Sequence, residues 1–193
     1  MNVTLVVAGS KTSDMVSRCM RAVSNSLPDH RVDLVDLDAD GFEPFMTSEE
    51  RTAYFTETPV RDPLVSQYGE MVNRADALVF VYHSTWCGLP ALTKGWLEKV
   101  MVPGVAFGFD ENGTIEPRLR HVRRIAGVVT YDEGRAELLR STDGGRRTLL
   151  RALRASTGLR TRTSWDALTR LGTTSEERRS AFLEQVERRF LRW

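Results

Sequence analysis

Cysteine is scarce, with only Cys19 and Cys87 in 193 residues. Two thiols cannot build a disulfide framework or a cysteine-rich zinc site, so a reducing compartment, the cytoplasm, is expected. Histidine is limited to three scattered residues, and no His, Cys, Asp or Glu group has metal-ligand spacing, so no metal site is expected. No apolar run approaches the ~20 residues of a membrane-spanning helix. The opening MNVTLVVAGSKTSD holds too short an apolar stretch for a secretion signal. What is present is ordinary for a globular chain: 41% apolar and 27% charged residues, which excludes disordered and fibrous classes. The length suits a single domain over residues 1–193 with a full core.

Net charge is also nearly absent, at +1, but its distribution is uneven. Residues 1–117 carry 9 basic and 17 acidic side chains. Residues 118–193 carry 18 basic side chains, all Arg, and 9 acidic ones. These arginines are spread over expected helices and a loop, with matching carboxylates and few interleaved aromatics. That pattern is a solvated, ion-paired surface rather than a groove-following stripe, so no nucleic-acid partner is expected.

Short β-rich runs alternate with helical stretches. Asn2–Ala8 (NVTLVVA) is an apolar run of strand length, followed by a polar turn. From Met15 the apolar spacing becomes helical, through Cys19, Met20, Val23 and Leu27, and ends at Pro28. Arg31–Leu37 alternates as a second strand; residues 38–47 read as loop. A helix is expected at Leu64–Asn73. Ala77–Tyr82 (ALVFVY) is uniformly apolar, as a strand covered on both faces must be. A helix from about Pro90 to Met101 and a long excursion over 103–122 precede the strand Ile125–Thr130. Helical signals at Arg146–Ala155, a strand at Thr161–Leu168 and an amphipathic helix at Ser175–Phe190 complete the chain, the last with a capping box in Thr174-Ser175-Glu176-Glu177. Such alternation implies an α/β fold with a parallel sheet and helices on both faces. Five strands in one domain fit the flavodoxin-like order 2-1-3-4-5.

In such a sheet, ligands bind beyond the carboxyl ends of the strands at the topological switch point. Three loops qualify. The first, Gly9, Ser10, Lys11, Thr12 and Ser13, brings hydroxyls, an ammonium and free amides to a helix start, where a phosphate is favoured. It has neither Walker nor dinucleotide-fingerprint glycine spacing; the plain alternative is a strand-to-helix turn with a Ser or Asp cap. The second, His83, Ser84, Thr85, Trp86, Cys87 and Gly88, offers a flat aromatic wall and a hydrogen-bonding imidazole. The plain alternatives are a partly buried packing residue for Trp86 and a helix-cap or surface histidine for His83; Cys87 reads as a small packing residue rather than a nucleophile. The third, Thr130, Tyr131, Asp132, Glu133 and Gly134, supplies a hydroxyl, a phenol and two carboxylates.

The stretch ADALVFVYHSTWCGLPALTKGWLEKVMVPGVAF (Ala75–Phe107) resembles the signature of the NAD(P)H:quinone oxidoreductase family, and DLDADGFEPFMTSEERTAYF (Asp36–Phe55) its second-strand segment. The resemblance implies a flavodoxin-like flavoenzyme that reduces a quinone or similar planar acceptor by ping-pong two-electron transfer from NAD(P)H. It implies a non-covalent flavin, FMN before FAD, with its phosphate at Gly9–Ser13, its ring edge along Ser84–Cys87 and its pyrimidine near Thr130, Tyr131 and Gly134. Gly104–Phe107 matches the segment that reaches the active site across a homodimer interface. Tyr131 and His83 are then the candidates to assist acceptor reduction. The chain departs from the family in having Gly9-Ser10 for His-Pro, His83 for the Pro that opens the second loop, small Ser84 and Thr85 after it, and Tyr131-Asp132-Glu133 in place of a Thr-Gly-Gly type third loop. These changes widen the pocket and bring acidic groups toward the pyrimidine. They leave two other functions in view, an accessory or regulatory subunit without turnover and a specialised-metabolite enzyme on the same scaffold. The basic half of the chain would face the acidic half of a second subunit or attract an anionic cofactor such as NADPH.

Overall fold

The computed structural model describes residues 1–56, 59, 62–158 and 160–193. Strand β1 (Asn2–Ala8) leads through Gly9–Ser13 into helix α1 (Asp14–Asn25), and strand β2 (Arg31–Asp36) leads to a short α2 (Ser48–Ala53). Then come α3 (Pro63–Asn73), β3 (Ala77–His83), α4 (Ala91–Val100) and an antiparallel hairpin of β4 (Phe107–Phe109) and β5 (Ile115–Pro117). Strand β6 (Arg124–Thr130) is followed by α5 (Arg135–Ser141), α6 (Gly144–Arg147), a π-helical turn (Thr148–Ala152) and α7 (Leu153–Thr157). Strand β7 (Arg162–Leu168), a 3-10 turn (Leu171–Thr173) and α8 (Glu176–Phe190) end the chain.

The main sheet runs β2-β1-β3-β6-β7 with every pairing parallel. This is the expected 2-1-3-4-5 order, the hairpin strands lying outside it. One face of the sheet, Val3, Leu5, Val7, Val79 and Val128 among others, packs on α1 and α8 through Val16, Cys19, Phe182 and Val186. The opposite face, with Val6, Leu78, Phe80 and Ile125, packs on α3, α4 and the α6–α7 run through Tyr68, Val72, Trp96 and Leu149. Coverage on both faces explains why β3 shows no polar alternation: residues 77–82 are all buried. Each of the buried Leu, Val and Phe side chains here contributes about 1.5–3 kcal/mol on burial.

The family-like Lys-Gly-Trp run acquires a packing reason. Gly95 lies where a Cβ would collide with the backbone of Pro44, so the segment after β2 can close on α4. Trp96 packs edge-on to Phe80, ring centroids 5.8 Å apart. One turn on, the buried Lys99 ammonium is 3.0 Å from Glu50 Oε1, donates to the Glu43 carbonyl at 3.2 Å, and lies over the Phe42 ring.

Two expectations are corrected and one gains detail. The excursion over 103–122 carries the β4–β5 hairpin outside the main sheet. The helical region after β6 begins earlier, with α5, and its second part is interrupted by the π turn. The capping box lies elsewhere: Thr47 and Glu50 form a reciprocal box on α2. At α8 the cap is Ser175, accepting from Arg178 N at 3.4 Å. The Thr174 hydroxyl is consumed by the carbonyls of Thr169 and Arg170.

Burial alone would raise the Glu50 carboxyl, but the Thr47 N–H and the Lys99 ammonium outweigh it and hold Glu50 below the usual carboxylate range. Asp33 is opposed by burial in the same way and lowered by Arg74 and Arg31. A carboxyl lowered in the fold binds its proton more tightly when unfolded. These groups therefore add stability above about pH 4.5 and lose it as pH falls through their folded values. Denaturant midpoints should hold from pH 7 to about 5 and drop below that. Glu50→Gln should start lower at pH 7 and fall less steeply. Midpoints that stay level down to pH 3 would contradict this.

Candidate functional site

The three expected loops converge beyond the carboxyl ends of β1, β3 and β6. In the first loop Gly9 takes φ +94°, a left-handed conformation that suits glycine. It turns the chain so that its carbonyl accepts from Thr12 N and Ser13 N. Ser13 caps α1 by accepting from Val16 N. Two carboxylates at the end of β2 brace the loop: Asp38 Oδ2 accepts from Gly9 N at 2.5 Å and Asp36 Oδ1 from the Ser10 hydroxyl at 2.6 Å. The amides of Ser10 and Lys11 have no hydrogen-bond partner among the described residues, and Lys11 and Thr12 are exposed. An anion arriving here meets free amides at the positive end of a 12-residue helix.

The second loop is a tight turn in which Thr85 bridges Gly88 while both central residues, Trp86 and Cys87, take φ +51°. Left-handed backbone is costly for residues with a Cβ, about 1 kcal/mol or more each. The turn is held from beneath: Ser84 is buried, its N donates to Thr130 O, and its hydroxyl donates to Gly88 O. From the side, Gly144 N donates to Cys87 O at 2.8 Å. The result displays the Trp86 side chain fully exposed. At the turn's base, His83 Nδ1 is 2.9 Å from Thr130 Oγ1, and His83 Nε2 is 3.3 Å from the exposed Asp132 carboxylate.

In the third loop Thr130 and Tyr131 are buried. The expectation of a Tyr131 phenol open to an acceptor does not hold. Its hydroxyl donates to Asp143 Oδ2 at 2.7 Å and accepts from Trp165 Nε1 at 3.1 Å. Burial, with the bond to Asp143 added, pushes its ionisation far above the ordinary tyrosine range. Gly134 takes an ordinary extended conformation, and its N donates to Glu137 Oε2.

Between the second and third loops lies a hollow of about 540 Å³, lined by Trp86, Cys87, Gly88, Glu133, Ser141 and Gly144. Glu133 Oε2 is buried without a hydrogen-bond partner among the described residues, as is the Tyr82 hydroxyl nearby. Of the two acidic residues expected near a pyrimidine, Glu133 thus lines the hollow while Asp132 pairs with His83. Gly145 lets α6 approach; a Cβ there would lie 2.6 Å from Tyr82 Oη.

Sequence reasoning missed Asp143. It holds Tyr131 and also caps α6 through Arg146 N, so it joins the third loop to the helix that pins the second. Its signal was present, an Asp before Gly-Gly at the head of a helical stretch.

A family model described as flavodoxin-like fold matches residues 1–192. Ribosyldihydronicotinamide dehydrogenase (quinone) from Pongo abelii is 28% identical over 111 residues, 46% of each chain; the chain spans about half or less of the length of the curated relatives it matches. NAD(P)H:quinone oxidoreductase from Methanothermobacter marburgensis superposes with a TM-score of 0.81 at 20% identity, covering 99% of this chain and 98% of that one. An FMN-dependent NADH-azoreductase from Bacillus anthracis, solved in complex with FMN, superposes with a TM-score of 0.74 at 13% identity, covering 100% and 99%. At these identities the structural likeness is one of fold.

Proposed function

The chain belongs to the flavodoxin-like fold family, and on that premise we propose that it is an FMN-dependent NAD(P)H oxidoreductase that reduces a quinone or similar planar acceptor. The observation that carries the reading is the hollow at the sheet's carboxyl edge, walled by a fully exposed indole on a left-handed turn and lined by Glu133, whose Oε2 has no hydrogen-bond partner among the described residues. A flat, hydrogen-bonding ring satisfies both. The residues fit FMN: the amides of Ser10 and Lys11, with Lys11, Thr12 and Ser13 around them, would hold its phosphate. The second loop, Ser84 to Cys87, would lie along its ring, and the third, at Thr130, Tyr131 and Gly134, would cover the pyrimidine. FMN is preferred to FAD because the first loop is compact and no adenine-binding feature accompanies it among the described residues.

When bound, FMN supplies the two-electron chemistry, with NAD(P)H and acceptor using one pocket in turn as a ping-pong cycle requires. The protein's own residues orient and handle protons. Trp86 would form the wall, and Glu133 would be placed to accept an N–H from the ring. His83 Nε2 faces the exposed Asp132 carboxylate, and once that carboxylate swings into solvent the imidazole would be open to the acceptor oxygen as a proton donor. Tyr131 is a positioning residue acting through Asp143. A homodimer is part of the reading: Phe55, Phe109 and Ile115 present exposed apolar surface on and beside the hairpin, Phe55 and Phe109 with ring centroids 6.3 Å apart. Among the described residues no helix is long and apolar enough to cross a membrane, and two free cysteines suit a cytoplasmic setting.

The test is an absorbance spectrum of the purified protein. Flavin bands near about 375 and 450 nm are expected, and added FMN should raise the melting temperature by mass action. Colourless protein with no thermal shift from FMN or FAD would overturn the reading and favour a subunit without turnover.

A further inference from the structure

A second hollow of about 540 Å³ lies on the far side of the same corner, between α5 and the α6–α7 run. Leu138 and Leu139 form one wall; Arg146, Arg147, Arg151 and Arg154 form the other. Arg147, Arg151 and Arg154 recur at helical spacing, which brings like charges onto one stripe and is unfavourable unless something offsets it. The π turn Thr148–Ala152 sits in the middle of that stripe. Such turns are rare and recur at functional sites.

Among the described residues the hollow is lined by one carboxylate, Asp143, and that group is committed to Tyr131 and to the head of α6. Among the described residues no ion pair uses Arg146, Arg147 or Arg151. Leu139 is exposed across from them. The guanidiniums of Arg146, Arg147 and Arg151, facing a leucine ledge, match a molecule that is anionic at one end and apolar along its body. The corner at residues 141–144 belongs to both cavities: Ser141 and Gly144 line the hollow beside Trp86, while Thr142 and Asp143 line this one.

We propose that the arginine-lined hollow binds the anionic end of a small molecule, a phosphate, sulfonate or carboxylate, whose flat end reaches the hollow beside Trp86. The placement of that flat end rests on the flavin reading; the anion site does not. The same chemistry has two sources, the 2′-phosphate of a nicotinamide dinucleotide or an acidic substituent on the acceptor. It also gives the arginine-rich half of the chain a local role that bulk charge does not describe.

The experiment is isothermal titration of the purified, FMN-supplemented protein with two pairs of probes: 2′,5′-ADP against 5′-AMP, and anthraquinone-2-sulfonate against 2-hydroxymethylanthraquinone. At least one more anionic member should bind about tenfold tighter than its partner, the scale of one charge-assisted contact. That preference should fall to within about twofold in Arg147→Gln/Arg151→Gln and should shrink as salt rises. Arg147→Lys/Arg151→Lys should keep much of it, which separates charge from folding; circular dichroism of both variants checks the fold. A preference for 2′,5′-ADP alone assigns the site to the dinucleotide, and a preference for the sulfonate alone assigns it to the acceptor. Absence of both preferences, or a preference undiminished in the glutamine variant, overturns the proposal. FMN affinity, titrated alongside, should be the same in both variants. A surviving anion preference without FMN binding would overturn the flavin reading and spare this one; FMN binding without the preference would do the reverse.

Discussion

Gly127→Ala is expected to destabilise the protein by about 3 kcal/mol, the sum of an overpacking cost of ~1–3 kcal/mol and a lost hydrogen bond worth ~1 kcal/mol. Gly127 sits mid-strand in β6, directly opposite Trp165 on the edge strand β7. A Cβ at this position would collide with Cζ3 and Cε3 of Trp165, too close for both to stay. The missing side chain is what lets the indole lie across the sheet, edge-on to Tyr82, with its Nε1 donating to the Tyr131 hydroxyl. Alanine must displace the ring, and the effect does not stop at β7. Tyr131 then loses one of its two partners, and the link through Asp143 to α6 and on to Cys87 loosens. For a chain of this length, about 3 kcal/mol corresponds to a melting temperature lower by roughly 6–12 °C. Denaturant titration should show it, with FMN affinity reduced in the folded variant. Stability within 0.5 kcal/mol of the parent, the range of an ordinary surface change, would show that Trp165 is not held this way.

How far the sequence reveals such links depends on whether the cause is local. The apolar run at β3 and the alternation at β2 were legible because burial on two faces or one leaves a direct trace in composition. So was the place of the site, since strand order alone selects the loops at residues 9, 83 and 130. The direction of Tyr131 was not legible. Its hydroxyl is drawn inward by Asp143, 12 residues on, and by Trp165, 34 residues on, and neither partner can be inferred from spacing. The two capping boxes show the same division. Thr47-Ser48-Glu49-Glu50 and Thr174-Ser175-Glu176-Glu177 are alike as strings. Only the first closes, because the Thr174 hydroxyl already serves the carbonyls of Thr169 and Arg170. The arginines of 146–154 read as a solvated face for a related reason. The wall opposite them is supplied by α5, a helix whose apolar residues include only Leu138 and Leu139 beyond alanine, too few for a periodic signal.

Under the proposed function, His83→Gln is expected to slow reduction of the acceptor about a hundredfold, the lower end of what a positioned acid contributes, while leaving reduction of the flavin by NAD(P)H within about twofold. The asymmetry follows from proton accounting. A quinone that takes up two electrons must also take up protons, whereas hydride delivery from the nicotinamide needs none from the protein. Two side chains were candidates to supply one. Tyr131 is held in a buried network, with its ionisation pushed beyond reach by burial and by Asp143. Tyr131→Phe should therefore cost stability, about 1 kcal/mol for the bond removed, with little change in either half-reaction. His83 is only half-buried, at the carboxyl end of β3. Thr130 Oγ1 at 2.9 Å fixes its Nδ1, and Asp132 at 3.3 Å marks the direction in which Nε2 points. Because Asp132 is exposed, it can yield that direction to an incoming oxygen. Stopped-flow measurement of the two half-reactions separates the assignments. An oxidative half-reaction in His83→Gln that stays within twofold of the parent would remove His83 from the chemistry, and a large loss in Tyr131→Phe at unchanged stability would return the role to the phenol.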